Sequence, residues 1–102
     1  MSRKDLDASL AQHFGMAKWL LIYESEDAFE FVRNEELYGR GVVDALVARG
    51  CTDAVFVNIG WGALGHLESA GIRAWYGPPD VPARELIHRL GRGELEKAEE
   101  AT

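Results

Sequence analysis

Thr52–Leu67 reads TDAVFVNIGWGALGHL, and the architecture of the chain follows from this stretch. Ala54-Val55-Phe56-Val57 is an unbroken apolar run, β-branched and aromatic, bounded by polar residues. Such a run fits a strand buried on both faces. Asn58-Ile59-Gly60-Trp61-Gly62 follows, and then Ala63, Leu64, Leu67 and Ala70 recur at helical spacing. Strand, glycine-bearing turn and helix make the βα junction of an α/β domain. In open α/β sheets, ligands bind beyond the carboxyl ends of the strands. Glycines in such a turn let backbone N–H groups approach a ligand, and a helix N-terminus favours an anion. A lone GxG more often marks a turn that simply packs helix on strand, so both readings stay open here.

Upstream, Lys18–Tyr23 (KWLLIY) is a strand, Glu24–Asp27 a polar turn and Ala28–Val32 an alternating, half-exposed strand. Together they predict a β-hairpin. Asn34 then caps a helix from about Glu35 to Arg49, with Leu37, Tyr38, Gly41, Val42, Ala45, Leu46 and Ala48 in its apolar stripe. Gly39 and Gly41 weaken its first turns, which allows a start as late as Gly41, and Gly50 is the residue that ends it. Downstream, Gly71 closes the helix after the central strand, and Ile72–Tyr76 is a further strand. Gly77–Asp80 is a loop. Val81–Leu90 is a helix with Asp80 as N-cap, Pro82 in its first turn and Leu86, Ile87 and Leu90 inward. Met1–Leu10 is polar, either loose or a helical turn capped by Asp7 or Ser9, and Glu94–Thr102 reads as a mobile tail or a frayed helix. The expected order is β-β-α-β-α-β-α in a single α/β domain over residues 11–93, with a polar segment at 1–10 and a charged tail at 94–102. A hairpin opening predicts a mixed β-sheet flanked by helices.

The 102 residues suffice for one domain, and 47% hydrophobic content fits a folded globule. A net charge of −6 disfavours nucleic acid and anionic lipid as partners. Cys51 is the single cysteine, so no internal disulfide can form. No stretch is long and apolar enough to span a membrane, and MSRKDLDASLAQ is not followed by the apolar region of a signal peptide. A cytoplasmic location is the expectation.

Three stretches resemble the dinitrogenase iron–molybdenum cofactor biosynthesis family, which includes NifX-like proteins and the accessory domain of NifB. His13-Phe14-Gly15-Met16-Ala17 followed by Trp19-Leu20-Leu21-Ile22-Tyr23 is similar to the family's H-F-G-x-A-x-x-F-x-I-Y/V opening. Gly50 through Gly62-Ala63, with Leu67 and Gly71-Ile72, is similar to its central G-x-D-x-V…I-G-x-G-A…G-I pattern. Val81 to Leu95, closing on Gly93-Glu94-Leu95, is similar to its final G-x-L. The resemblance implies a ribonuclease-H-like fold with a five-stranded mixed sheet. It implies a non-catalytic protein related to nitrogen fixation that binds, carries or shields a metal–sulfur cluster of the iron–molybdenum type or its precursor. Its partners would be metallocluster donor and acceptor proteins. Cofactor contacts would come from Phe14, Gly15, Asn58, Ile59, Gly60, Trp61 and Gly62. One departure stands out: the family usually begins with a short apolar strand at the centre of the sheet, and Met1–Leu10 supplies none. Direct pairing of Trp19–Tyr23 with Ala54–Val57 would close the gap, as would a strand from a second protomer in a homodimer.

A metal–sulfur cluster is soft and anionic, and imidazole, thiolate, backbone N–H groups and basic side chains can hold it. His13, in a glycine-containing loop, is the first metal-ligand candidate; a loop histidine bonded to backbone is the alternative. His66, one turn into the helix, is the second, against a surface role. His88 reads as surface, and Cys51, at the wrong end of its strand, as a small buried hydrophobe. Trp61 is either a lid on a ligand or packs against Trp75 or Phe14. No CxxC or HxxC spacing, serine elbow, Walker loop or converging carboxylates are present, so an enzyme is not expected. The rival readings are an interaction module without a cofactor, using Trp61 and an open sheet edge, and a phosphate-ester hydrolase at the Gly60 turn.

Overall fold

The computed structural model describes residue 1 and residues 4–25, 27–35 and 39–101. The elements in chain order are β1 (Trp19–Ser25), β2 (Ala28–Arg33), α1 (Gly39–Ala48), β3 (Asp53–Phe56), α2 (Trp61–Ser69), β4 (Arg73–Tyr76), α3 (Ala83–Gly91) and β5 (Glu96–Lys97), with a single 3-10 turn at Phe14–Met16 ahead of them. This is the expected β-β-α-β-α-β-α order in a mixed, ribonuclease-H-like arrangement, with a short strand added at the end. The stripe residues Leu37 and Tyr38 lie outside the described residues, whereas Glu35, expected to start the first helix, is described and is not helical; the described helix begins at Gly39.

β3 and β4 pair in parallel, from Asp53↔Arg73 to Phe56↔Tyr76, with α2 as the crossover. β1 and β2 form the expected antiparallel hairpin, with a bulge between Tyr23 and Ser25. The side chains of β1 divide by parity, as a pleated strand requires. Leu20 and Ile22 pack on the main core with Val43, Leu46, Leu64 and Leu67 of α1 and α2. Trp19 and Leu21 pack on the other face with Met1, Ala8 and Ala83. Helices therefore cover both faces of the sheet layer.

The tail and the N-terminal segment depart from expectation. Glu94–Ala101 is neither mobile nor a frayed helix: β5 pairs antiparallel with β4, and the Ala98 N–H donates to the Ala74 carbonyl at 2.9 Å. Leu95 and Ala98 are buried, which is what holds a charged segment down. β5 also covers what would otherwise be the open edge of β4. Met1, Leu6 and Ala8 are buried too, although their segment reads as polar. Asp80 is not the cap of α3. Its φ is 61°, in the left-handed region, and the N-cap is Pro82, which offers no side-chain bond. The carbonyls of Ala8 and Leu6 instead accept from the N–H groups of Ala83 and Arg84 at 2.9 and 2.8 Å. The segment thus satisfies the free donors at the start of α3. Asn34, read as a cap for α1, donates its side-chain amide to the Ala17 carbonyl at 2.7 Å.

A single five-stranded ladder is not what forms among the described residues. β1–β2 is one sheet and β3–β4–β5 another. β1 does not pair with β3; the pieces are joined by an isolated parallel bridge between His13 and Asn58.

At the start of β3, Asp53 gathers four donors. Arg73 Nε and Nη2 donate at 2.8 and 3.0 Å, Trp75 Nε1 at 2.9 Å and Thr52 Oγ1 at 2.7 Å. Partial burial alone would raise its pKa, but the hydrogen bonds from Arg73, Thr52 and Trp75, with the Arg73 charge, hold its carboxyl below the ordinary aspartate value near 3.8. A carboxylate whose folded pKa is depressed stabilises the fold above its unfolded value and loses that contribution as pH falls through the folded one. Replacing Asp53 by Asn should lower stability at pH 7 by about 1 kcal/mol, given the pair's partial exposure. That corresponds to roughly 4–8 °C in Tm for a domain of this size. Thermal melts from pH 7 to pH 3 should show the wild-type advantage fading below about pH 4; an advantage that persists undiminished at pH 3 would refute the assignment.

Candidate functional site

Beyond the carboxyl end of β3, the chain turns at Asn58–Gly60 and enters α2. Three contacts lock the His13 loop against this turn. The Phe14 N–H donates to the Asn58 carbonyl at 3.0 Å, and Asn58 Nδ2 donates to the Gln12 carbonyl at 2.9 Å. The Phe14 ring meets Phe56 edge to face, with centroids 5.7 Å apart. The loop and the turn thereby become opposite walls of one cleft of about 290 Å³. His13, Phe14 and Gly15 form one wall, and Asn58, Ile59, Gly60 and Gly62 the other. These residues are far apart in sequence, and the fold brings them together.

Trp61 and His66 stand apart from this group. Trp61 opens α2 but does not line the cleft; it is 70% exposed and packs on neither Trp75 nor Phe14 in any ring contact. His66 Nε2 lies 2.6 Å from Asp44 Oδ1, tying α2 to α1 away from the cleft. His88 is exposed on α3. Cys51 precedes β3 at the opposite end from the cleft, half-buried against the core, and burial pushes its thiol pKa up, against the opposing Arg49 charge. That shift disfavours the thiolate. Among the described residues, no group of three or more His, Cys, Asp or Glu stands close enough to hold a metal ion.

Gly39 and Arg40, at the start of α1, also line the cleft, although in the sequence Gly39 reads only as a weak helix former. Arg40 is exposed and has no carboxylate partner among the described residues. Its side-chain stem lies over Gly62: a Cβ built there would sit 3.8 Å from Arg40 Cδ. The signal available in the sequence was the Gly-Arg-Gly run at 39–41, since a basic residue between two glycines has room to reach over a neighbour.

The electrostatics of the cleft favour an anion. Gly60 is the N-cap of α2 and offers no side-chain bond, and the first N–H groups of the helix have no acceptor among the described residues. The helix dipole adds partial positive charge there, and Arg40 adds a full one. Packing does not demand the two turn glycines. A Cβ at Gly60 would meet nothing within 4 Å, and at Gly62 only the flexible Arg40 stem. Their φ values do not require glycine either; Gly60 sits at −79°. What bare glycine backbone does here is leave the cleft open to its N–H groups.

Fold and cleft together define a class: a three-layer α/β protein with an anion-favouring cleft at a strand–helix junction. The chain belongs to the dinitrogenase iron–molybdenum cofactor family, whose model matches residues 1–93. Among solved structures, it is similar to a Thermotoga protein provisionally assigned as NifB, at 28% identity and a TM-score of 0.83, covering 98% of this chain and 90% of that one. The apo form of the orange protein from Desulfovibrio gigas shares the fold at 19% identity and a TM-score of 0.89, covering 99% of this chain and 90% of that one. A provisionally assigned dinitrogenase from Methanocaldococcus jannaschii shares it at 19% identity and a TM-score of 0.73, covering 93% and 88%. No curated protein sequence matches the chain. No described helix is long and apolar enough to cross a membrane.

Gly39 and Gly62, which both line the cleft, should respond oppositely to alanine. A Cβ at Gly39 would lie 2.9 Å from the Ala63 Cβ, which is anchored on α2 and cannot swing aside. Gly39→Ala should therefore destabilise the fold by about 1–3 kcal/mol. Gly62→Ala, one residue inside α2, should be neutral or stabilising by up to about 1 kcal/mol. Urea or thermal melts of the two variants check this, and equal losses in both would show that the cleft walls are packed more tightly than described.

Proposed function

We propose that this chain carries an anionic metal–sulfur cluster, or a precursor of one, in the cleft between the His13 loop and the start of α2. Membership of the iron–molybdenum cofactor family supports this choice of cargo. The observation that carries the reading is the convergence of Arg40, the uncapped start of α2 and the bare backbone of Gly60 and Gly62 on one opening. On a chain with a net charge of −6, that local concentration of positive potential needs a reason.

Each residue has a part in this reading. Backbone N–H groups at the start of α2 bond the sulfides or oxygens of the cargo, and Arg40 neutralises its charge. His13, exposed at the rim, offers one imidazole nitrogen to a metal. A single side-chain ligand holds cargo less firmly than the closed ligand set of a permanent site, which suits delivery between a donor and an acceptor protein. Asn58 fixes the wall geometry rather than touching the cargo.

A second reading, an interaction module without cargo, has its own support. Met16 is 78% exposed and Trp61 70%, and each adjoins cleft residues in sequence. Exposed aromatic and methionine side chains are the common anchors of protein contacts. On a carrier, the same two side chains would meet the donor or acceptor.

Anaerobic incubation with iron, sulfide and molybdate or thiomolybdate, followed by a sizing column, separates the two. Metal and visible absorbance should elute with the wild-type chain. Arg40→Ala should weaken retention about 10- to 100-fold, as loss of a charge-assisted contact does, and His13→Ala should reduce it and alter the spectrum. Retention unchanged in both variants would move the cargo to another place on the chain. No metal on a well-folded wild-type chain would leave the interaction module.

A further inference from the structure

The outer edge of the hairpin is β2, and it has no neighbouring strand on that side among the described residues. β5 covers the corresponding edge of β4. Ala28–Arg33 contains no proline and no lysine, the residues that usually blunt an open edge. The bulge between Tyr23 and Ser25 lies at the turn and leaves Phe29–Arg33 in regular register with β1. The direction of each backbone group on β2 follows from its surroundings. Trp19 exchanges its backbone bonds with Met1, at 2.8 and 2.7 Å, so its pair with Arg33 carries none. The Asn34 N–H donates to the Lys18 carbonyl at 2.9 Å, which turns Asn34 toward β1 and Arg33 away from it. Backbone direction alternates along an antiparallel pair, so Phe29, Phe31 and Arg33 all aim their N–H and C=O outward. The side chains of these three also share one face. Tyr23 stacks on Phe29 with centroids 6.1 Å apart, and Phe29 meets Phe31 edge to face at 6.1 Å, so an aromatic row reaches the edge. Phe29 is 40% exposed, and Arg33 is exposed without a carboxylate partner among the described residues.

We propose that β2 pairs antiparallel with β2 of a second copy of this chain, about a two-fold axis through Phe31, so that two hairpins join into one sheet. The outward groups fix the register. With Phe31 opposite Phe31, every outward residue finds a partner: Phe31 bonds its own counterpart, and Phe29 of each copy bonds Arg33 of the other. A shift of two residues one way sets Glu30 opposite Glu30, a like-charge pair. The same shift the other way sets Phe29 opposite Glu35, which lies beyond the strand. In the symmetric register the side chains complement one another. Arg33 of one copy lies across from the Phe29 ring of the other, the arrangement of a cation–π contact. Asp27 is the next residue along on that face, within diagonal reach of the same guanidinium. The aromatic rows of the two hairpins meet at Phe31. β2 carries one acid, Glu30, and one base, Arg33, so the paired strands are neutral although each chain carries −6. This self-complementarity selects a second copy over an unrelated strand.

One strand pair is a small interface, so the dimer should form and dissociate with concentration. Sedimentation of the whole chain should show monomer giving way to dimer between about 1 µM and 1 mM. Over that range, hydrogen exchange of the Phe29, Phe31 and Arg33 amides should slow about tenfold, while Glu30 and Val32, bonded to β1, should not change. Arg33→Glu should weaken the dimer about tenfold, and adding Asp27→Arg to it should restore pairing. Phe29→Lys, at an exposed position, should weaken it too, by setting a lysine against Arg33. Circular dichroism confirms that each variant keeps its fold. A chain that stays monomeric at about 1 mM overturns the proposal and leaves the edge to a strand of another protein. A dimer that leaves the three outward amides unprotected overturns it by placing the interface elsewhere. A dimer weakened by Arg33→Glu and not restored by the exchanged charges overturns the register.

Discussion

The parallel ladder between β3 and β4 is the constraint from which the rest of the structure follows. Parallel strands cannot be joined by a tight turn, so the chain must leave β3, cross as α2 and return. That crossover puts the N-terminus of α2 just beyond the carboxyl end of β3, where the glycine turn and the His13 loop meet. The cleft is a consequence of this connection. At the far end of the same ladder, Asp53 clamps Arg73 and Trp75 of β4. Stability is thus concentrated at one end of the ladder and openness at the other, as the placement of ligand sites in α/β sheets requires.

The second constraint is the break between β1 and β3. Contacts on either side of the break hold the hairpin in place. The hairpin is anchored by Leu20 and Ile22 on the main core and by Trp19 and Leu21 on the α3 side. The N-terminal segment spans that side, capping α3 through Leu6 and Ala8 while Met1 pairs with Trp19. One short segment therefore joins hairpin and helix.

The cleft shows how a glycine can be read once neighbours are known. Gly39 and Gly62 both line it, yet Gly39 is there because α1 and α2 approach too closely for a side chain, whereas Gly62 has room for one. Only the second kind leaves a choice, and there bare backbone faces the opening. The same comparison explains why the chain can be acidic overall and still favour an anion locally. Among the described residues, Glu85 and Glu94 pair with Arg89 and Arg92, and Asp44 with His66, away from the cleft. Arg40 remains to face the cleft.

The chain alone determined the order of elements as far as α3, the hairpin and the βα junction. Those features rest on local periodicity and on glycines placed between an apolar run and a helix, which any reader of the sequence can see. The Gly-Arg-Gly run gives Arg40 room to reach over a neighbour, but only tertiary structure decides that this neighbour is Gly62. His66 left the site for the same reason: its partner Asp44 is on another helix. Leu95 and Ala98 turned a charged tail into a strand, since two apolar residues suffice when an open strand edge lies within reach. Leu6 and Ala8 acted through their carbonyls, and a main-chain group has no signature in sequence. Whether β1 meets β3 is likewise a question of which backbone edges come within hydrogen-bond distance. Side-chain pattern fixes which face of a strand is buried; only the folded chain decides which strand stands beside it.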